Sequence, residues 1–138
     1  MNLNKFAFNA YSFTKRAVYI LIVVVLFGCS SIPLKSDSKW IGYTESGEAS
    51  YYAMKYQFRE TASGELFNQF SNTAAHKELP FGTKVQVTNV KNKKSVVVKI
   101  NDRGPFSEGK IIDLSRSAFK QIGDLDLGII YVNIEVVK

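Results

Sequence analysis

Val97-Val98-Lys99-Ile100-Asn101-Asp102-Arg103-Gly104-Pro105, followed by Gly109-Lys110-Ile111-Ile112-Asp113-Leu114-Ser115, carries one carboxylate from a strand directly into a tight turn. The β-branched run from Val96 to Ile100 predicts a buried strand, and Asp-Arg-Gly-Pro, dense in turn formers, ends it at once. Asp102 therefore stands where a strand becomes a loop. Sites are often built at such points on a rigid scaffold, so a carboxylate beside a guanidinium is compatible with chemistry. The same residue types also make an Asx turn, in which the Asp side chain simply holds its own backbone.

Outward from this stretch the pattern is mostly β. Glu48 to Tyr52, Lys84 to Val90, Ser95 to Ile100 and Ile129 to Val137 are rich in Val, Ile and Tyr. The second and last alternate apolar with polar residues, which predicts one buried face each. Lys91-Asn92-Lys93-Lys94 is a short polar loop suited to an antiparallel hairpin between the second and third strands. One helix is predicted over Asp113 to Ile122, with Leu114, Ala118 and Ile122 at four-residue spacing, Asp113 as its N-cap and Gly123 as its stop. A single helix among many short strands points to a small closed barrel.

Other polar candidates lie in the middle of the chain: Glu65 in Thr61-Ala62-Ser63-Gly64-Glu65, and His76, the only histidine. A lone histidine is more often hydrogen-bonded structure than catalyst. With no cysteine cluster beside it, it makes no zinc site of the usual kind, so neither metal nor cofactor is expected. Tyr51, Tyr52, Tyr56, Phe58, Phe67, Phe70 and Phe81 make this half aromatic-rich, which suits a barrel core or a sugar-stacking groove.

The front of the chain reads differently. Residues 1–16 carry Lys5, Lys15 and Arg16 without an acid, and Ala17 to Gly28 is uncharged and apolar, ending in Leu26-Phe27-Gly28-Cys29. A positive start, an apolar run of about a dozen residues and small residues after it have the shape of a secretory signal, too short for a spanning helix. The single cysteine of the chain, Cys29, lies just behind it and has no partner for an internal disulfide. Leu-Phe-Gly-Cys resembles the bacterial lipobox, in which the cysteine becomes the lipidated first residue. Residues 1–28 are thus expected to be a signal peptide of lipoprotein type, and Cys29 a membrane anchor carrying palmitate-like acyl chains. Ser31 after it leans toward the outer membrane. Residues 29–45, Ser-rich with Pro33, are expected to be a flexible tether, and 46–138 the folded domain.

The formal charge of +6 shrinks once three basic residues and no acid are assigned to the signal, leaving 15 basic against 12 acidic side chains. That mild excess, without a basic patch interleaved with aromatics, gives no reason to expect a nucleic-acid partner.

Together the segments resemble the rare lipoprotein A family of septal lytic transglycosylases. The match runs through Gly47-Glu48-Ala49-Ser50-Tyr51-Tyr52, Thr61-Ala62-Ser63-Gly64-Glu65-Leu66-Phe67, Ala74-Ala75-His76-Lys77-Glu78-Leu79-Pro80-Phe81-Gly82-Thr83 and Val85-Gln86-Val87-Thr88-Asn89. It continues through Asn101-Asp102-Arg103-Gly104-Pro105-Phe106 and Gly109-Lys110-Ile111-Ile112-Asp113-Leu114-Ser115, in order and over nearly all of 47–136. The resemblance implies a mainly β fold, a six-stranded double-psi β-barrel with one or two short helices. It implies Asp102 as the catalytic acid with Glu65 and His76 supporting it, and Tyr52, Thr61, Asn101 and Arg103 among the substrate-binding residues. Tyr51, Ala53, Ser63 and Asn68 depart from the residues usual in the family, Asn68 replacing an acid.

The implied activity is endolytic cleavage of the β-1,4 bond between N-acetylmuramic acid and N-acetylglucosamine in peptidoglycan strands. No water enters, and the strand is left with a 1,6-anhydro end. One carboxylate can make both proton transfers, and an Arg103 paired with it would hinder the acid step, so Arg103 is expected to point into the fold. Implied partners are peptidoglycan, the membrane through Cys29, and proteins of a division complex. The rival reading is a non-catalytic wall-binding or scaffold lipoprotein with an expansin-like or barwin-like barrel.

Overall fold

In the computed structural model, which describes residues 39–138, six strands close into one barrel in the order β1-β5-β2-β4-β3-β6. Their bounds are β1 Thr44–Tyr51, β2 Thr73–His76, β3 Lys84–Asn89, β4 Ser95–Asp102, β5 Lys110–Leu114 and β6 Ile130–Val137. One helix, α1, spans Arg116–Ile122, and 3₁₀ turns cover Met54–Tyr56 and Leu125–Leu127. The neighbours β1–β5 and β2–β4 are parallel and the other four pairs antiparallel. Closure leaves no free sheet edge, which is how so short a β chain avoids edge-to-edge association.

Alternation in the sequence builds the interior. Val85 and Val87 of β3, Val96, Val98 and Ile100 of β4, and Val132, Ile134 and Val136 of β6 point inward and are buried. Lys84, Val97, Lys99, Tyr131, Asn133 and Glu135 fall on the other face. Each such aliphatic side chain contributes roughly 1.5–3 kcal/mol on burial. The loop Lys91 to Lys94 does join β3 and β4 as an antiparallel hairpin, with Val87 opposite Val96. Trp40 and Tyr43, ahead of β1, pack partly buried against this core.

Three local expectations are corrected. Asp113 does not cap the helix: it lies inside β5, and the cap is Ser115, whose hydroxyl accepts from the Ala118 amide. The β-branched pair Ile111 and Ile112 carries the chain on as a strand beside β1, so the helix starts three residues later than its apolar spacing indicated. Neither β5 nor β2 was predicted as a strand. β2, Thr-Ala-Ala-His, has no alternation to detect because all four residues are buried between β4 and β5. The fit at β5 is tight: a β-carbon on Gly47 would come within 2.5 Å of the Ile111 side chain. Residues 1–28, Cys29 and the start of the tether lie outside the described residues.

Candidate active site

Strand register assembles the site. β2 lies between β5 and β4, and its Ala75 is the partner of Asp113 on one side and of Asp102 on the other. Ser50 of β1 is in turn the partner of Asp113. Ser50, Asp113, Ala75 and Asp102 thus form a row across four neighbouring strands. Two strand spacings put the α-carbons of the two aspartates about 10 Å apart, with a methyl group between them.

This row opens on a cleft of about 600 Å³, to which Ser50, Asp102 and Asp113 all contribute. Tyr52, Tyr56 and Phe67 form an aromatic wall, with Tyr52 packed on Phe67 at 4.5 Å between ring centroids and edge-on to Tyr56 at 6.0 Å. Phe106, 87% exposed, stands at the lip on the loop that follows Pro105. Gly104 has φ +131, a backbone state that only glycine adopts easily, which lets the chain leave β4 sharply after Arg103. Lys55, Arg59 and Lys110 also line the cleft, and none of them is in an ion pair among the described residues.

Asp102 is held by three donors. Its Oδ1 accepts from the backbone amides of Ala62 at 2.8 Å and Arg103 at 2.9 Å, and its Oδ2 accepts from the Tyr52 hydroxyl at 2.7 Å. Oδ1 is therefore occupied by the backbone, and Oδ2 is the oxygen available to a ligand. The Tyr52 phenol is pushed above its ordinary range, first by burial, then by its bond to Asp102 and the negative charges of Asp102 and Asp113. It stays a donor at every physiological pH. Asp113 is bonded to the Ser50 hydroxyl through its Oδ1.

Other predicted site residues are distributed differently. The Arg103 guanidinium turns away from the Asp102 carboxylate, as expected: Nη1 donates to the carbonyls of Leu79 at 2.9 Å and His76 at 3.3 Å, and the group stacks on Phe81. Thr61 lines the cleft, but its hydroxyl donates to the Glu65 carbonyl. Glu65 is exposed outside the cleft, bonded to Lys99 at 2.7 Å and to the amide of buried Asn101 at 3.0 Å. Those bonds, that to Lys99 foremost, hold its carboxyl below the usual range.

His76 is 3% exposed and does not line the cleft. Its Nδ1 accepts from the amides of Glu78 and Leu79, both at 3.1 Å, and its Nε2 meets Glu45 at 3.0 Å. Glu45 also accepts from the Tyr43 hydroxyl, whose pKa burial and this carboxylate push up to about 12. Asn68 is exposed and its Oδ1 accepts from the Phe70 amide. Asp113 and Ser50, with the basic residues Lys55, Arg59 and Lys110, are cleft residues that sequence reasoning missed. For Asp113 the signal was present in the Ile-Ile-Asp-Leu run, which reads as strand once its β-branched pair is weighed against the helical spacing behind it.

A closed barrel of two parallel and four antiparallel pairs, with a carboxylate row at the mouth of an aromatic cleft, defines a double-psi β-barrel protein. Solved structures agree on the fold: a Streptomyces papain inhibitor superposes with a TM-score of 0.58 at 24% identity over 71% of this chain and 97% of its own. An expansin of Clavibacter michiganensis in complex with cellohexaose gives 0.57 at 23% identity, over 70% of this chain and 51% of its own. The chain belongs to the lytic transglycolase family, whose model matches residues 44–134. It is similar to the endolytic peptidoglycan transglycosylase RlpA of Vibrio cholerae, 51% identical over 70% of this chain and 36% of that protein. Its likeness to the protein of the same name from Pasteurella multocida is 48% identity over 70% of this chain and 33% of that one. The chain spans about a third of the length of these relatives.

Proposed function

We propose that this barrel is the cleaving domain of an endolytic peptidoglycan transglycosylase, acting on the β-1,4 bond between N-acetylmuramic acid and N-acetylglucosamine during wall remodelling at division. The observation that carries the reading is the row in which Asp102 and Asp113 face one cleft across Ala75. It is supported by the kinship with the named transglycosylases. Asp102 protonates the bridging oxygen from Oδ2, and the bond from that oxygen to the anomeric carbon breaks. As a carboxylate it then takes the proton of the muramyl 6-hydroxyl while that oxygen bonds the anomeric carbon, giving the 1,6-anhydro ring with no net proton and no water. The backbone amides on Oδ1 and the Tyr52 hydroxyl hold the carboxyl still through both transfers. Asp113 with Ser50 sets a negative charge beside the positive charge that builds at the anomeric carbon.

The segment ahead of the barrel supports an envelope location. A signal peptide over 1–28 and a lipid on Cys29 would tether the domain to a bacterial membrane, the outer one facing the periplasm, within reach of glycan and of division proteins. Metabolic labelling with an alkynyl fatty acid tests this: the chain takes up label and Cys29→Ala does not.

The activity is tested by mass spectrometry of purified glycan strands incubated with the protein. Anhydromuramyl ends are expected from the wild type. Asp102→Asn should lower turnover by about 10²–10⁴-fold, and Asp113→Asn by roughly 10²-fold. Reducing ends in place of anhydro ends, or undiminished cleavage by Asp102→Asn, would overturn the proposal.

A further inference from the structure

We infer that His76 is a positioning residue for Asp102, acting through the Leu79 loop and the Arg103 guanidinium and never touching substrate. This rests on the reading of the cleft as the glycan-cleaving site and adds how its acid is held. His76 is 3% exposed, and both ring nitrogens are committed. Because Nδ1 accepts from two backbone amides, the ring proton sits on Nε2 and is donated to Glu45. A second proton on Nδ1 would face the two amides head-on. The ring therefore has no lone pair to offer a ligand without breaking the turn it holds, and no proton to offer without giving up its bond to Glu45.

What that turn does is the second half of the inference. Fixing the Glu78 and Leu79 amides fixes the Leu79 carbonyl, which with the His76 carbonyl receives Arg103 Nη1. Arg103 follows Asp102 directly, and its own amide is one of the two that hold Asp102 Oδ1. The path from imidazole to carboxylate thus has three links: ring to turn amides, turn carbonyls to guanidinium, and arginine backbone to Asp102. It also keeps the guanidinium off the neighbouring carboxylate, since its Nη1 is committed to the backbone carbonyls of Leu79, His76 and Asp102.

The two roles for His76 part on one substitution. His76→Asn places a carbonyl oxygen near the position of Nδ1, keeping the acceptor for the turn but removing any titrating group. His76→Ala removes both. Turnover on purified glycan strands and hydrogen–deuterium exchange are measured on the full chain in detergent. His76→Ala is expected to lose at least tenfold in kcat with little change in KM, and to exchange faster in peptides covering 77–83 and 100–106 but not in 130–137. His76→Asn should recover most of both losses. Arg103→Met should lose as much as His76→Ala, and the double variant no more than either, because the three groups form one chain. His76→Asn as inactive as His76→Ala with protection intact at 100–106 would overturn the inference. So would wild-type exchange at 100–106 in His76→Ala, or losses that add in the double variant. Should the wild type release no anhydro ends, the functional reading fails, and the exchange arm still decides the positioning role.

Discussion

Replacing Tyr52 by Phe removes one oxygen and leaves the ring packed on Phe67. The hydroxyl lost is the donor to Asp102 Oδ2 at 2.7 Å. Losing that donor leaves a partly buried acceptor one bond short, which costs about 1–3 kcal/mol, so Tyr52→Phe should lower stability at pH 7 by that amount. The alkaline limb gives a sharper check. The folded protein raises the Tyr52 pKa, so above the unfolded value of about 10 the native state holds a proton that the unfolded chain has released. The contribution is complete below pH 10 and is lost as pH rises, by up to about 1.4 kcal/mol per pH unit, through a window that runs past pH 12. The advantage of wild type over Tyr52→Phe should therefore shrink by about 1.4 kcal/mol between pH 9 and pH 11. Tyr43, whose pKa is raised to about 12, titrates in both proteins and cancels in the difference. Urea unfolding at pH 7, 9, 10 and 11 measures it. Equal stability at pH 7 and parallel curves to pH 11 would refute both the bond and its charge dependence.

Three further outcomes are expected. Gly47→Ala puts a methyl 2.5 Å from Ile111 on β5 and should cost about 1–3 kcal/mol by denaturant unfolding. Ser115→Ala removes the cap of α1 and should cost about 1 kcal/mol, whereas Asp113→Ala should leave the helix start protected in hydrogen exchange. Phe106→Ala, at an 87% exposed position, should leave stability within about 0.5 kcal/mol of wild type. The same change should weaken glycan binding in titration calorimetry roughly tenfold, because it removes the stacking surface at the lip of the cleft.

The parts of the fold legible in the sequence were those with one wet and one dry face. β3 and β6 alternate apolar with polar residues, so their burial is written residue by residue. β4 was marked by its β-branched run, of which Val97 is 46% exposed rather than buried. Lys91 to Lys94 joins β3 to β4 in the only short way open. β2 and β5 were not legible because neither alternates: Ala74, Ala75, Ile111 and Ile112 are buried on consecutive positions in the middle of the barrel wall. Period-2 patterning reports solvent on one face, and these strands have none to report. Helical spacing from Leu114 to Ile122 then competed with the strand and displaced the cap by two residues.

For the site, local sequence placed Asp102 at the end of a strand, since β-branched residues followed by Arg-Gly-Pro permit little else. The inward turn of Arg103 followed from the chemistry asked of its neighbour. The setting of that carboxylate was beyond the sequence. Ser50, Ala75, Asp102 and Asp113 are dozens of residues apart in places and meet only through the register of two parallel pairings and one antiparallel pairing. A shift of one residue in any of them would turn an aspartate to the other face. Closure of the barrel fixes that register, and with it which carboxylates share a cleft and which polar residues, His76 among them, are spent on holding the frame.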